Sequence, residues 1–491
     1  MNYFNPYPLC VDNTVTTAWK SQIAHAAKTP SLAELLAQRG NELFPRFAAA
    51  YSELRALPRG ARRALQRRLA HSRELSAVLQ EWFNQQSGRA LQQKLATTLA
   101  GAALLLVLGR GASDAATITV NTTVPGIAAD GKCSLIEAII NANNNALTHP
   151  DCLVAGDPDP TADTIVLPKK TFTLTTPSEY YYGYTGLPLI TSKITIEGNG
   201  AKIARKKSAP AFRHMAVSYY SGDLELRNLT LSGGQGSLPY GGGGAIVNGG
   251  QLTITGCTLT GNVAPYGGAI ANYGNLTITN SALSKNTANG AYPSGGFGGG
   301  IANGSTGIFT IANNSTITGN KASYYGGGVA NSGNFNIDAS TISKNSAPYG
   351  GGFANFGGVS PTQTISNSTI SGNKTILKNI TYGGYSYTIG GIGAGIANLY
   401  STLTITNSTI SGNIAKGKRL RSYPYFAGGL AGGILNFGSS SNLTLSGGMV
   451  TKNTATFAGG GLLNFQGTYT YTPGTITGNK AKYGPNIYNV P

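Results

Sequence analysis

The chain has 491 residues, of which 69 are glycine and only 11% are charged. Hydrophobic residues make up 41%, enough to bury a core, which excludes a disordered or a collagen-like chain. The net charge of +18 indicates an acidic partner or surface, whereas the 4 cysteines and 4 histidines are too scattered for a disulfide scaffold or a metal cluster.

Residues 1–93 are predicted to form a helical, basic extension. Apolar residues recur at helical spacing in two segments, and the second segment carries Arg62, Arg63, Arg67 and Arg68. This arginine cluster is either a solvated helix face or an element that anionic lipid retains in the cytoplasm during export.

Residues 94–115 have the pattern of a secretory signal. A basic flank precedes the apolar run Leu95–Leu108, and Ser113 and Ala115 are the small residues before the predicted cleavage site. The run is shorter than the roughly 20 residues that a transmembrane helix needs. We therefore predict an exported chain without an integral membrane span; the alternative is a buried helix of a soluble domain.

Residues 116–163 are predicted to form a cap at the N-terminal end of the fold. Ser134 and Glu137 have the spacing of a capping box, and apolar residues follow at helical spacing. A helix here would cover the unpaired backbone and apolar side chains at an open end of the repeats. Cys133 and Cys152 are expected to form a disulfide in an oxidising compartment.

The remaining residues, 164–491, are repetitive and rich in Gly, Asn, Ser, Thr and Tyr. A phrase of the type Gly-Gly-small-apolar-x-Asn ends at Asn248, Asn272, Asn303, Asn331, Asn355, Asn398, Asn436 and Asn464. A second phrase, of the type Leu-Thr-Ile-Thr-x-Ser-x-Ile-Ser-Gly-Asn, ends at Asn262, Asn286, Asn320, Asn345, Asn373, Asn413, Asn453 and Asn479. Self-similarity at a period of about 31 residues indicates a solenoid.

The second phrase favours strands over helices. Leu-Thr-Ile-Thr alternates apolar and polar residues, as a short strand does, and Gly and Asn follow where tight corners need left-handed backbone. We predict an all-β fold, a single-stranded right-handed parallel β-helix of about eleven coils with an N-terminal capping helix. Stacked coils would align Asn residues in hydrogen-bonded ladders, and Cys257 would be a buried member of the column of Ser281 and Ser408.

The segment Cys133–Ile139, followed by Asn141–Asn143, resembles the CSLREA domain of bacterial surface β-helix proteins, with Ile136 where that motif has Arg. The later Gly-Gly-Ala-Ile and Gly-Gly-Gly-Ile phrases are similar to the repeats of polymorphic outer membrane proteins. The resemblance covers about residues 117–491. It implies an exposed bacterial surface protein, in some relatives an adhesin. Because coil repeats continue to Asn479, we expect no C-terminal translocator barrel.

Acidic residues are almost absent from the second half of the chain. After Arg227, Asp338 is the only carboxylate, so this half offers no pair of acids for glycoside hydrolysis and no carboxylate cage for calcium. Asp223 and Glu225 face one way together with Arg227. They form either a solvated, neutralised strand face or the catalytic pair of a polysaccharide-cleaving β-helix. We expect the former, with no catalytic residues, no metal and no cofactor.

Two insertions lengthen the repeat at one corner, between Asn373 and Asn413 and between Asn413 and Asn453. Equivalent corners of successive coils stack along one edge, so these loops are predicted to form one aromatic and basic rim. The alternative is that the tyrosines only cover the side of the rod. The candidate binding residues are Tyr382, Tyr385, Tyr387, Lys416, Lys418, Arg419, Arg421, Tyr423 and Tyr425.

These features predict an exported, non-catalytic protein, secreted or held at a bacterial cell surface or outer membrane, that adheres through the rim. We expect an anionic polysaccharide or a host or neighbouring cell surface as the partner, no nucleic acid, and a monomer. The main alternative is a polysaccharide lyase or glycoside hydrolase of β-helix type. A third hypothesis, ice binding, needs a regular Thr array, which Asn336, Asp338 and Ser446 interrupt.

Overall fold

Each coil of the chain repeats the same short strands in the same order. The structure, a computed structural model, describes residues 116–152, 162–236, 242–291, 295–356, 363–382, 385–419 and 426–490. The predicted N-terminal extension and signal segment lie outside these residues. The described strands pair in parallel with their counterparts in the next coil and form three long sheets. The fold is the all-β parallel β-helix that the sequence predicts.

The largest sheet has 21 strands in two columns, which two long strands, Lys193–Arg205 and Asp223–Ser232, join. The first column contains Ala116–Thr119, Ala162–Val166, Gln251–Thr255, Asn275–Thr279, Ile308–Ala312, Asn334–Asp338, Gln363–Ser366, Thr402–Thr406, Asn442–Ser446 and Thr468–Tyr471. The second column contains Thr171–Leu174, Thr258–Thr260, Ala282–Ser284, Thr316–Thr318, Thr341–Ser343, Thr369–Ser371, Thr409–Ser411, Met449–Thr451 and Ile476–Thr477.

Two further sheets close each coil. The 10-stranded sheet contains Met215–Val217, Ile246–Asn248, Ile270–Asn272, Ile301–Asn303, Val329–Asn331, Phe353–Asn355, Ile396–Leu399, Ile434–Phe437, Leu462–Phe465 and Ile487–Val490. The 7-stranded sheet contains Val263–Ala264, Thr287–Ala288, Lys321–Ala322, Ser346–Ala347, Lys374–Thr375, Ile414–Ala415 and Thr454–Ala455.

Three antiparallel hairpins complete the described strands. We call Glu179–Tyr180 with Tyr184–Thr185 the tyrosine hairpin. The first corner hairpin is Leu377–Tyr382 with Tyr385–Gly390. The second corner hairpin is Gly417–Arg419 with Phe426–Gly428.

Apolar side chains stack in columns inside the coils. Leu252 aligns with Leu276, Leu276 with Phe309, and Phe309 with Phe335. The rings of Phe309 and Phe335 are parallel, with centroids 5.4 Å apart. All four side chains are buried, and burial of each aliphatic side chain contributes about 1.5–3 kcal/mol. Successive coils therefore extend this apolar column through the core.

Two asparagine ladders run along the inside of the rod. Asn248 Nδ2 donates a hydrogen bond to Asn272 Oδ1 at 2.7 Å, and equivalent bonds link each member to the next as far as Asn489. The second ladder links Asn262 to Asn479 through bonds of 2.9 and 3.0 Å. Apart from the exposed Asn489, these amides are buried, and the bonds between them specify the register of the coils. At the start of the first ladder, Asn248 Oδ1 has no hydrogen-bond partner among the described residues.

Glycine and asparagine set the path of the backbone. A Cβ on Gly268 would lie 2.2 Å from the carbonyl oxygen of Gly299 in the next coil, so the Gly-Gly phrase permits a close backbone approach. Asn280, Asn367 and Asn407 turn the corner inside the largest sheet with φ of 48°, 48° and 47°. Asn tolerates this left-handed region better than most residues.

The N-terminal end is covered by helix α1 (Leu135–Asn144), followed by a 3₁₀ turn, Pro150–Cys152. Ser134 Oγ accepts a hydrogen bond from the Glu137 backbone N–H at 3.2 Å, and Glu137 Oε2 accepts one from the Ser134 N–H at 2.9 Å. Cys133 and Cys152 form a disulfide. Glu137 thus caps the helix and fixes its entry. In the described part of the chain, no helix is long and apolar enough to cross a membrane.

Candidate functional site

The first corner hairpin carries three of the tyrosines that the sequence singles out. Its register places Tyr382 opposite Tyr385 at the turn, and Tyr387 opposite Ile380. Antiparallel partners at these positions have Cβ atoms about 4.5–5.5 Å apart. The backbone of the hairpin therefore gathers the three tyrosine positions within two strands.

A cation–π contact joins the base of this hairpin to the wall of the rod. Lys378 Nζ lies 3.9 Å from the centroid of the Tyr324 ring and 3.5 Å from the carbonyl oxygen of Ser323. A cation in this position is attracted by the electron-rich face of the ring. Lys378 was not a predicted site residue, and its role here is to hold the hairpin against the preceding coils.

The second corner hairpin lies beside the first and carries exposed lysines. The backbone N–H of Lys416 donates to Thr375 Oγ1 at 3.1 Å, which connects the start of this insertion to the coil below. Lys416 and Lys418 are exposed. The strand Phe426–Gly428 contacts the strand Tyr385–Gly390 of the first hairpin. The two insertions therefore meet at one corner.

Most of the candidate rim residues lie on these two hairpins. The hairpin strands and their flanks include Tyr382, Tyr385, Tyr387, Lys416, Lys418 and Arg419. The candidates Arg421, Tyr423 and Tyr425 lie outside the described residues.

Asp223 and Glu225, the carboxylates weighed as a catalytic pair, lie two residues apart on the strand Asp223–Ser232. Glu225 and the more distant Asp338 each bind neighbouring side chains. Arg227 Nε lies 2.8 Å from Glu225 Oε1. Asp338 Oδ1 accepts hydrogen bonds from Ser366 Oγ at 2.6 Å and Asn367 Nδ2 at 2.8 Å, and these bonds hold the pKa of Asp338 below its ordinary value. Four coil steps, about 19 Å, separate the strand of Glu225 from that of Asp338, so these two carboxylates are too far apart to form a glycosidase pair, whose members lie within about 9.5 Å.

Cys257 occupies the buried column position that the sequence predicts for it. Its backbone N–H donates to Ser281 Oγ at 3.0 Å, and its Sγ lies 3.3 Å from the carbonyl oxygen of Thr255. Burial raises the pKa of the Cys257 thiol to about 11. A thiol with this pKa is almost entirely protonated at neutral pH and is a poor nucleophile.

An exposed tyrosine cluster at the tyrosine hairpin was not among the predicted site residues. Tyr180, Tyr182 and Tyr184 are 60%, 54% and 50% exposed, and Tyr219 and Tyr220 are 46% and 86% exposed. The rings of Tyr180 and Tyr184 meet edge to face at 5.2 Å, and those of Tyr219 and Tyr220 at 5.3 Å. Exposed aromatic groups of this size mark interaction surfaces more often than single apolar residues do. In the sequence these residues are visible as two tyrosine-rich runs, at 180–184 and 219–220, outside the repeats.

A fully buried arginine holds the tyrosine hairpin in place. Arg213 donates from Nη1 to the carbonyl oxygen of Tyr181 at 2.7 Å and from Nη2 to that of Tyr182 at 2.8 Å. Tyr182 has a left-handed backbone, with φ of 47°. Burial lowers the pKa of Arg213 to about 10, so the side chain still carries its charge at neutral pH. The loop is thus fixed by charge-assisted hydrogen bonds from inside the rod.

No protein-family model matches the chain, and no curated protein matches its sequence. The arrangement of side chains on the rod is therefore the basis for a functional proposal.

Proposed function

We propose that this protein is an exported, non-catalytic β-helix protein that binds anionic glycans through the corner hairpins. The observation that carries the proposal is the meeting of the two insertions at one corner, with Lys416 and Lys418 exposed beside a hairpin that bears three tyrosines. Lysine attracts carboxylate and sulfate groups, and tyrosine offers a flat ring with a polar tip.

The charge balance of the coils supports the same proposal. Residues 228–491 contain 12 Lys and Arg residues and only 1 acidic residue, Asp338. A surface of this composition attracts polyanions and repels cations over about a Debye length. The binding surface thus needs no strongly concave pocket, because an extended polymer makes many weak contacts along a rod.

The location of the protein is part of the proposal. The signal-like segment 94–115, the Cys133–Cys152 disulfide and the resemblance to CSLREA-domain surface proteins all favour an oxidising, extracellular compartment. N-terminal sequencing of protein from the culture medium and the outer membrane fraction tests this part. A mature N-terminus after Ala115 is expected, and a start at Met1 would contradict it.

Retention on an immobilised acidic polysaccharide tests the binding site. The variant with Lys416, Lys418 and Arg419 replaced by Gln is expected to elute from alginate at clearly lower salt than the wild type, because three positive charges leave the rim. A matched control replaces Lys169, Lys170 and Lys193 by Gln, which removes the same charge from exposed positions in the first coils.

Two results would contradict the proposal. One is equal retention of the wild type and the hairpin variant. The other is release of reducing ends or unsaturated uronates from pectin, alginate or hyaluronan by the purified protein, which would favour the lyase or hydrolase alternative. Equal loss of retention in the hairpin variant and the control variant would show that only net charge matters.

A further inference from the structure

Lysines flank the closing asparagine of the second ladder in coil after coil. Three of them directly precede a ladder asparagine: Lys285, Lys344 and Lys452. Three others directly follow one: Lys321, Lys374 and Lys480. One such lysine occurs in each of six coils, those of Asn286, Asn320, Asn345, Asn373, Asn453 and Asn479. The coils of Asn262 and Asn413 have none.

Coil stacking places these six residues, which we call the lysine ridge, along one edge of the rod. The lysines that follow the asparagine share their strand slot with Thr287 and Thr454. All six side chains are exposed. From Lys285 to Lys480 the ladder takes six steps, and at about 4.8 Å a step the ridge extends about 29 Å along the axis.

The positive charge of the ridge is not neutralised by the fold. None of the six ammonium groups has an ion pair or a side-chain hydrogen bond within the described ranges. In the sequence after Arg227 the single acid is Asp338, which lies in the first column of the largest sheet and binds Ser366 and Asn367. Because these like charges lie close together, they create a positive electrostatic potential that attracts anions.

The backbone at the ridge gives a second, independent observation. Lys285, Lys344 and Lys452 have φ of 56°, 56° and 57°. Other coils have glycine at the same corner, as in Gly319 and Gly372, with φ of 65° and 62°. Left-handed backbone is unfavourable for a residue with a Cβ and free for glycine. The turn therefore does not require lysine, and these three positions carry it although glycine fits the local backbone better.

A file of hydroxyl side chains lies directly beside the ridge, one per coil. Its members are Thr260, Ser284, Thr318, Ser343, Ser371, Ser411, Thr451 and Thr477. Neighbouring hydroxyls approach each other, as in Ser284 Oγ and Thr260 Oγ1 at 3.0 Å. Hydroxyl groups both donate and accept hydrogen bonds, which matches the hydroxyls of a sugar.

We infer that the lysine ridge binds a linear anionic polysaccharide that lies along the rod axis, with its acidic groups on the lysines and its hydroxyls on the Ser/Thr file. This inference rests on the proposed function and assigns it a second, separate site. Single-stranded nucleic acid is a poorer fit, because its binding sites use aromatic side chains for base stacking, and the described ridge and hydroxyl file contain none. A membrane is a poorer fit because the charges form a line.

The strain at the corners permits a variant that removes charge without weakening the fold. Replacing Lys285, Lys344 and Lys452 by Gly installs the residue that other coils use there, so thermal stability is expected to stay equal or rise. A second variant replaces Lys321 and Lys374 by Thr, the residue of the same slot at Thr287. Affinity for fluorescein-labelled alginate, measured by anisotropy at low salt, is expected to fall about tenfold in the triple Gly variant.

Two controls separate binding at the ridge from a general effect of net charge. The variant with Lys169, Lys170 and Lys193 replaced by Gln is expected to bind within about twofold of the wild type. Longer alginate fractions are expected to bind more tightly than short ones to the wild type, and this length dependence is expected to shrink in the ridge variants.

Each outcome of these measurements decides something. Wild-type affinity in both ridge variants, with loss in the Lys416/Lys418/Arg419 variant, would overturn the ridge and leave the proposed function standing. Loss in neither would overturn both. Tighter binding of oligo(dT), or of vesicles containing phosphatidylserine, than of alginate would overturn the polysaccharide assignment. Loss confined to the ridge variants would support the ridge and contradict the hairpins as the main site.

Discussion

His214 shows how a single residue can make the stability of the rod depend on pH. Its side chain is fully buried, and Nε2 lies 3.1 Å from the carbonyl oxygen of Ser232. Nδ1 has no hydrogen-bond partner among the described residues. Burial, together with the nearby positive charge of Arg205, lowers the pKa of His214 to about 4. The native fold therefore holds this imidazole in its neutral form.

The expected consequence is a loss of stability in mild acid. Between pH 6.5 and about 4 the unfolded chain binds a proton at His214 that the folded chain does not, so the free energy of unfolding falls as the pH falls. Across this window the effect of the one residue is about 3 kcal/mol. Thermal melts of the wild type and of His214→Gln should differ in slope against pH there. The His149→Gln variant is the control, and parallel slopes for all three proteins would contradict the assignment.

At the scale of elements, the tyrosine hairpin depends on a group that lies beneath it. The guanidinium of Arg213 binds the carbonyl oxygens of Tyr181, Tyr182 and Gly183. Removing one partner of a buried charge-assisted network leaves the other groups without hydrogen bonds and usually costs a few kcal/mol. The backbone of the tyrosine hairpin is therefore held by a side chain in the core of the rod.

We predict that Arg213→Met loosens the hairpin while the distant coils stay folded. Chymotrypsin should cut after Tyr180, Tyr182 or Tyr184 much faster than in the wild type, because the three carbonyl groups lose their donor. Mass spectrometry of the early fragments identifies the cut sites. Lys193→Met, an exposed basic residue, is the matched control. Unchanged cleavage of the Arg213 variant would show that the hairpin is held by its own strands.

The regular elements could be predicted from the sequence because each repeats. Asn286 and Asn320 occur in the same phrase, and an inward amide can be hydrogen-bonded only if its neighbours are aligned. Gln363 could not be predicted: it occupies the column slot of Phe335, and its Oε1 accepts hydrogen bonds from Asn355 and Ser401. Asn489 was missed because its coil lacks the Gly-Gly phrase. Both belong to coils in which the pattern is altered.

The candidate site was predicted in part. The corner insertions are visible as lengthened spacing, but their pairing as two hairpins in contact depends on the stacking of coils. The lysine ridge was missed for the same reason. Lys344 precedes a ladder asparagine and Lys374 follows one, so they share no sequence slot and come together only when the coils are in register.

At the scale of the whole molecule, each coil contacts mainly the coils above and below it. Stability in such a fold is close to a sum of coil terms and interface terms. We predict that deletion of residues 304–331, one complete coil, leaves a folded β-rich protein, because Asn303 then leads into Ser332 in the correct register. Circular dichroism and a thermal melt check this. Deletion of residues 304–317 alone breaks the register and should prevent folding.

The one-coil deletion also removes Lys321 and brings its neighbours on the ridge one level closer. Affinity for long alginate chains should fall about two- to fivefold, the value of a single exposed charge, whereas short chains should bind almost as before. An unchanged affinity for long chains would contradict additive contacts along the edge.

The asparagine ladders have a consequence for how such a gene can change. Each ladder amide forms the same hydrogen bond with the amide of the next coil. A segment of one period that is duplicated or lost therefore adds or removes one coil without requiring new kinds of contact. If the lysine ridge binds a polysaccharide as we propose, the number of periods sets the length of polymer that it contacts. Unequal recombination, without any point mutation, would then be enough to change the length of the rod.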